Sequence, residues 1–338
     1  MLINKVLIIR FSSFGDIVQC SKVAELIAQV SPTAEIHWVT RGEFKSLLEI
    51  IPSVKKVWSL PKEKKSFIDL LKLALLLRKE KYDIIYDAHN NLRSLLLYFI
   101  LKAGRFNPIW ISRSKDRLKR IMLFNFRKNY FDYPFKGIRS FLAPIEKFLN
   151  ATLKNEKNES LWNFPLQVHS KLQEIPYLQQ SVVFVPSAAW EMKRWPLNHW
   201  KSLASLIDKN IIILGGKEDA SFCEEIKEIA PQRIQNLAGK LSLIESCAVV
   251  QQAHLIISAD TGLLHVADVF GKKALSLMGP TAFGFTTHAN IKTLEIDLSC
   301  RPCTKDGRGK CHQATYQKCM VDITPSLVAH EARLALRE

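Results

Sequence analysis

Leu255-Ile256-Ile257-Ser258-Ala259-Asp260-Thr261-Gly262-Leu263-Leu264-His265 is the stretch from which the fold is read. An apolar run of strand length delivers an Asp-Thr-Gly turn into a helical pattern that continues through Val266-Ala267-Asp268-Val269. This predicts a buried parallel strand followed by a helix. At such a junction the first backbone N–H groups of the helix lack intrahelical acceptors and point, with the positive end of the helix dipole, above the strand's carboxyl end. In open α/β sheets phosphates bind there. Thr261 adds a hydroxyl, and Gly262 removes the side chain that would hold a phosphate away. Taken alone, the turn better suits Asp260 as a helix cap and His265 as an ordinary polar residue, so the rest of the chain must choose.

Working outward, strands are expected at 181–185, 211–214, 234–236 and 273–278, with helices near 197–209, 219–229, 243–253 and 262–269. The amino-terminal half shows the same alternation: strands at 5–10, 35–39, 57–58 and 83–87, and helices at 17–27, 44–50 and 67–78. Repeated strand-then-helix units imply parallel sheets with right-handed crossovers. The first turn, Phe11-Ser12-Ser13-Phe14-Gly15-Asp16, has one glycine and no G-x-G-x-x-G, so a dinucleotide fingerprint is not supported. Between 149 and 179 the pattern lapses into polar residues and reads as a connection. The expected fold is α/β, with two Rossmann-like doubly wound domains facing a cleft: residues 1–165, a linker at 166–179, and residues 180–323. A terminal helix over 324–338, with Thr324 as cap and Pro325 at its first position, is expected to turn back toward the amino-terminal domain.

The 338 residues carry a net charge of +16. The charge is uneven, at +14 through Leu178 and +2 from Gln179 onward. The densest part, from Arg113 to Arg139, interleaves its cations with Phe124, Phe126, Tyr130, Phe131, Tyr133 and Phe135. Such a mixture suits an anionic polymer, the phosphate head groups of a membrane, or merely a basic solvated surface. No apolar run reaches the roughly 18 to 20 residues of a membrane span, and the amino terminus has no signal-peptide layout. A cytoplasmic protein is expected. Of seven cysteines, Cys20, Cys223 and Cys247 stand alone, whereas Cys300, Cys303, Cys311 and Cys319 follow C-x2-C-x7-C-x7-C. In a cytoplasmic protein that cluster suits a structural zinc or iron ion held by four thiolates, or reduced packed thiols.

Three strand-end loops of the second half offer groups to one ligand. They are Pro186 to Pro196 with Lys193, Leu214-Gly215-Gly216-Lys217-Glu218-Asp219, and the Asp-Thr-Gly turn. A nucleoside diphosphate fits all three, with its ribose on Glu218 and its phosphates on Lys193, Thr261 and the Gly262 amide. In the first half Asp16 is the carboxylate beside a glycine at the first strand end, and the Asp87–Ser94 loop adds His89 and Arg93.

These motifs, Phe11 to Asp16, Met192-Lys193-Arg194-Trp195-Pro196, Leu214 to Glu218 and Asp260 to His265, resemble in order and spacing those of glycosyltransferase family 9. Its bacterial ADP-heptose:lipopolysaccharide heptosyltransferases have the two-Rossmann GT-B architecture. The resemblance implies Asp16 as general base of an inverting transfer, and Lys193, Asp260, Thr261, Gly262 and His265 at the diphosphate. It also implies Glu218 at the ribose and Leu241 near the adenine. Ser13, Arg93, Arg113, Arg117 and Arg120 would serve an anionic, lipid-linked acceptor at the cytoplasmic face of the inner membrane. No catalytic cofactor is implied and no nucleic acid is expected. Ala188 and Ala189 stand where family members can carry hydroxyl residues, and Leu241 where a methionine can occur. Another nucleotide sugar or a protein acceptor is the alternative within the family. A basic nucleic-acid-binding protein is the alternative outside it, although that leaves the Asp-Thr-Gly and Lys-Arg-Trp-Pro loops unexplained.

Overall fold

The structure is a computed structural model and describes residues 3–61, 67–103, 106–153 and 162–337. The chain forms two compact units. The first is built from β1 (Lys5–Ile9), α1 (Phe14–Val30), β2 (Glu35–Arg41), α2 (Lys45–Glu49), β3 (Lys56–Leu60), α3 (Phe67–Lys79), β4 (Ile84–Asp87), α4 (Leu92–Lys102) and β5 (Ile109–Ser112). All its strand pairs are parallel, in the order β3-β2-β1-β4-β5. β1 lies centrally, Val6 beside Ile36 on one side and Ile84 on the other, and is apolar on both faces because helices cover both. Leu70, Leu73, Ala74 and Leu77 of α3 and Leu97 and Leu101 of α4 pack on Leu7, Ile9 and Ile85 of the sheet.

After α5 (Arg117–Phe126), α6 (Gly137–Leu149) returns to the first unit. The second unit continues with α7 (Leu166–Gln173), β6 (Val182–Val185), α8 (Leu197–Leu206), β7 (Ile211–Ile213), α9 (Ala220–Lys227), β8 (Ile234–Asn236), α10 (Leu243–Gln252), β9 (Leu255–Ala259), α11 (Gly262–Val269), β10 (Ala274–Met278), β11 (Ile291–Glu295), α12 (Lys318–Val321) and α13 (Pro325–Arg337). Its parallel strands run β11-β10-β9-β6-β7-β8. In each sheet the winding direction reverses once, between β1 and β4 in the first and between β6 and β9 in the second. The loops leaving those strands therefore flank the crevice where open α/β sheets bind ligands.

The doubly wound α/β reading holds in both units, and four details differ. Arg117–Gly137 clusters with the second unit, not with residues 1–165. The reason is aromatic packing: Phe124, Phe131 and Phe135 stand edge-on to Phe283 at 6.1, 5.1 and 4.9 Å. The Tyr133 hydroxyl also donates to Glu295 at 2.6 Å, and Arg127 donates to the carbonyls of Cys300 and Pro302. The aromatics among the basic residues thus form a packed cluster. Much of the expected linker at 166–179 is α7, whose Val168 and Leu172 are buried and which packs on α10. The terminal helix, expected to turn toward the amino-terminal domain, instead places Val328, Ala329 and Ala332 in the second unit's core beside Trp200 and Leu203 of α8. The edge strands β5 and β11 complete the two sheets although the alternation did not mark them.

Candidate active site

In the first unit, Ser13 caps α1 and puts Asp16 in its first turn, where the helix dipole favours a carboxylate. The Ser13 hydroxyl donates to Asp16 Oδ2 at 2.7 Å and its backbone N–H to the same oxygen at 3.3 Å. Arg10, the buried residue just past β1, places Nη2 2.5 Å from that oxygen, while its Nη1 donates to the carbonyl of Ala88 at 2.8 Å. Arg113 follows β5. Its Nε donates to Ser140 Oγ at 2.8 Å and its guanidinium lies 3.8 Å from the centre of the Phe141 ring. Burial pushes the Asp16 carboxyl up, but Arg10, the Ser13 hydroxyl and Arg113 more than offset it and hold the group at about 2. Asp16 is therefore an anion throughout the neutral range.

At the next strand end, Asp87 accepts the backbone N–H groups of His89 at 3.0 Å and Asn90 at 2.7 Å and so shapes the loop into α4. Burial, together with Arg10 and Lys115, lowers His89 to about 3, so its ring stays neutral. Arg93 is half-buried in the first turn of α4. Ser13 and Arg113 thus lie with Asp16. Arg117, exposed, and Arg120, its guanidinium 4.4 Å from the Phe283 ring centre, belong to α5 in the other unit.

In the second unit Asp260, 6% exposed, is the hub. Its Oδ2 lies 2.6 Å from Lys193 Nζ and accepts the Thr281 hydroxyl at 2.8 Å, and its Oδ1 is 3.7 Å from His265 Nε2. Burial pushes its carboxyl up, yet Lys193 and His265 drive it well below the usual carboxylate range. A Cβ on Gly284 would overlap that carboxylate, which explains a glycine there. Thr261 caps α11 and its hydroxyl lies 3.3 Å from Ser258 Oγ, leaving Gly262 to open the helix. His265 Nδ1 is buried without a hydrogen-bond partner among the described residues.

Glu218 is exposed on the turn after β7 and folds back over Gly216, where a Cβ would sit 2.8 Å from its carboxylate. Leu241, half-exposed, follows Gly239, whose positive φ lets the turn approach the Lys217 backbone. The Glu218 and Leu241 loops therefore adjoin each other, while Lys193, Asp260 and His265 form a separate group.

Among the described residues no group of three or more His, Cys, Asp or Glu side chains is arranged to hold a metal ion. The four thiols of Cys300, Cys303, Cys311 and Cys319, which suit either a structural metal ion or reduced packed thiols, lie close enough that the other three act electrostatically on Cys319. Cys319 is buried in the core beside Gly279, while the other three are half-exposed in the preceding loop. That loop also braces the site. Gly307 packs on the Lys193 stem, the Gln317 side chain donates to the Glu191 carbonyl at 2.5 Å, and Arg308 lies 5.2 Å from the Trp190 ring centre. Sequence reasoning missed Arg10, Thr281 and Gly284. Their only signal was position, Arg10 directly past the end of β1 and Thr281 and Gly284 in the loop that follows β10.

A family model described as glycosyltransferase family 9 (heptosyltransferase) matches residues 70–316. Lipooligosaccharide heptosyltransferase 2 of Haemophilus influenzae is 27% identical over 95% of this chain and 96% of its own. Two solved structures share the fold. The E. coli ADP-heptose lps heptosyltransferase II has a TM-score of 0.71 at 21% identity, covering 98% of each chain. The E. coli heptosyltransferase WaaC with ADP-2-deoxy-2-fluoro heptose has a TM-score of 0.70 at 18% identity, covering 98% of this chain and 99% of that one.

Proposed function

Because the chain belongs to glycosyltransferase family 9, the heptosyltransferases, we propose that it moves a heptose from ADP-heptose to an anionic, lipid-linked inner-core acceptor of lipopolysaccharide, with inversion at the anomeric carbon. The observation that carries this reading is the Lys193, Asp260 and His265 group beside the open end of α11, a cation and a helix terminus held together where β9 ends. The likeness in fold to a heptosyltransferase bound to an ADP-heptose analogue supports the donor, and the name of the Haemophilus relative supports the acceptor.

In this reading the diphosphate lies on the Gly262 amide, the Thr261 hydroxyl and Lys193, with the ribose at Glu218 and the adenine near Leu241. The acceptor hydroxyl attacks the anomeric carbon as the bond to the diphosphate oxygen breaks. Its proton passes to Asp16, and the electron pair leaves with ADP, neutralised by Lys193 and the helix end. A carboxylate held near 2 is a weak base toward a free hydroxyl. The attacking oxygen, however, becomes strongly acidic as its bond to carbon forms, so the transfer is favourable late in the step. Ser13, Arg93, Arg113, Arg117 and Arg120 meet the acceptor's anionic groups. No step runs through a metal or cofactor.

The pH profile follows from the sign of the shift. A base depressed to about 2 is deprotonated at every pH above roughly 4, so kcat/KM should be level from pH 5 to 8 with respect to Asp16. An acidic limb near pH 6 would hand the base role to another group.

The direct test is transfer from ADP-heptose to heptose-deficient lipopolysaccharide, with the product's anomeric configuration read by NMR. Transfer only from a different nucleotide sugar, or only to a protein, would redirect the donor or acceptor assignment. Stabilisation by RNA or DNA but not by ADP would refute the donor site.

A further inference from the structure

The outer face of α3 and α4 bears more exposed apolar side chains than the first unit needs for its fold. The two helices pack side by side, their inner residues in the core already described. Outward they present Ile68, Leu71 and Leu75 from α3 and Leu92, Leu95 and Phe99 from α4, with Leu92 84% and Phe99 61% exposed. On α4 the spacing of three and four residues makes these one stripe. Single exposed leucines are ordinary, whereas a contiguous group across two adjoining helices marks a surface that meets something apolar.

The charge on the same helices identifies the partner. They carry Lys72, Arg78, Lys79, Arg93 and Lys102 against a single acid, Asp69. Apolar side chains rimmed by cations suit a layer with phosphates outside and hydrocarbon inside. A second copy of this chain suits it poorly, because two such faces would press like charges together as water leaves. The face also starts at the right place. α4 leaves the Asp87–Asn91 loop, whose Ala88 carbonyl holds Arg10, the partner of Asp16. Among the described residues no helix is long and apolar enough to cross a membrane, so contact would be from one side.

We propose that the α3–α4 face docks on a bilayer containing anionic phospholipids, sinking its leucines and Phe99 to the acyl boundary while its cations meet the phosphates. The inference rests on the reading of a lipid-linked acceptor, because it seats the reacting edge of the first sheet near the surface where that acceptor is anchored.

Co-sedimentation with mixed phosphatidylcholine–phosphatidylglycerol vesicles tests it. Wild-type protein is expected to bind them, and to bind pure phosphatidylcholine more weakly. The triple variant Leu71→Ser, Leu75→Ser and Phe99→Ser should lower the vesicle affinity by about tenfold or more, since each buried side chain of this size contributes severalfold. The pair Lys72→Glu and Lys79→Glu, at exposed positions where folding is not at issue, should lower it too and flatten its salt dependence. Both should keep the thermal shift with ADP and transfer to a delipidated, water-soluble acceptor. Undiminished vesicle binding by both variants overturns the proposal, as does a wild-type dimer that the triple variant abolishes while vesicles go unbound. Vesicle binding without any transfer would instead refute the heptosyltransferase reading and leave the docking face standing.

Discussion

Asp16→Asn should leave ADP binding near wild type and lower transfer by about 10²- to 10⁴-fold, the scale of a lost, positioned general base. The amide keeps the volume of the carboxylate and can still accept from Ser13, so α1 and its cap should persist. It cannot take a proton, and it leaves Arg10 without the charge 2.5 Å away. The comparison is kcat with saturating ADP-heptose against the ADP-induced thermal shift in the same preparation. Near-wild-type turnover would remove Asp16 from the chemistry. Arg10→Ala separates orientation from proton transfer: without its partner the Asp16 carboxyl should rise, bringing an acidic limb into the pH profile that the wild-type enzyme lacks.

Lys193→Ala should lower kcat by about 10²- to 10³-fold and also weaken ADP binding, because its charge acts on the bound diphosphate and more strongly on the departing one. The structure adds a second consequence. Lys193 and Asp260 are both largely buried and 2.6 Å apart, so removing the lysine strands a carboxylate beneath α11. A melting temperature below that of wild type should accompany the loss. Adding Asp260→Asn to Lys193→Ala should restore much of that stability, since a neutral pair costs less to bury than one unmatched charge, but should not restore turnover. If the double variant regained activity, the lysine would have been a structural counter-ion. If acceptor affinity alone changed in the single variant, Lys193 would belong to the other substrate.

The chain displays its interior strands and its turns openly. β6, β7, β9 and β10 are largely apolar runs, as strands covered on both faces must be, and the turns after β1, β7 and β9 carry the glycines and acids that mark a ligand edge. β5 and β11 were harder to see for the same physical reason. They are edge strands with mixed exposure, so neither a continuous apolar run nor a clean alternation picks them out. The charged groups that the fold gathers were legible where they stand in a motif, as at Asp16, Lys193 and Asp260. Legibility ended where a residue acts by reaching across to another loop. Arg10 reads as the end of an apolar strand, and Thr281 and Gly284 as an ordinary turn, until the fold brings them to Asp16 and Asp260. The C-x2-C-x7-C-x7-C spacing showed that the four thiols come near one another, Cys319 from the edge of the core and the other three from the loop before it.

The packing of Phe124, Phe131 and Phe135 around Phe283 also decides how the protein can be divided. The second unit is discontinuous in sequence, since it borrows Arg117–Gly137 from between two segments of the first. A protease or a gene truncation that severs the chain near residue 163 would not release two independent halves. The amino-terminal piece would carry off three phenylalanines with nothing to cover them, and the carboxyl-terminal piece would bare Phe283. Such fragments should aggregate when made separately and be recovered soluble only when co-expressed, whereas a carboxyl-terminal piece supplied with the 117–137 segment in trans should regain its ADP-induced thermal shift.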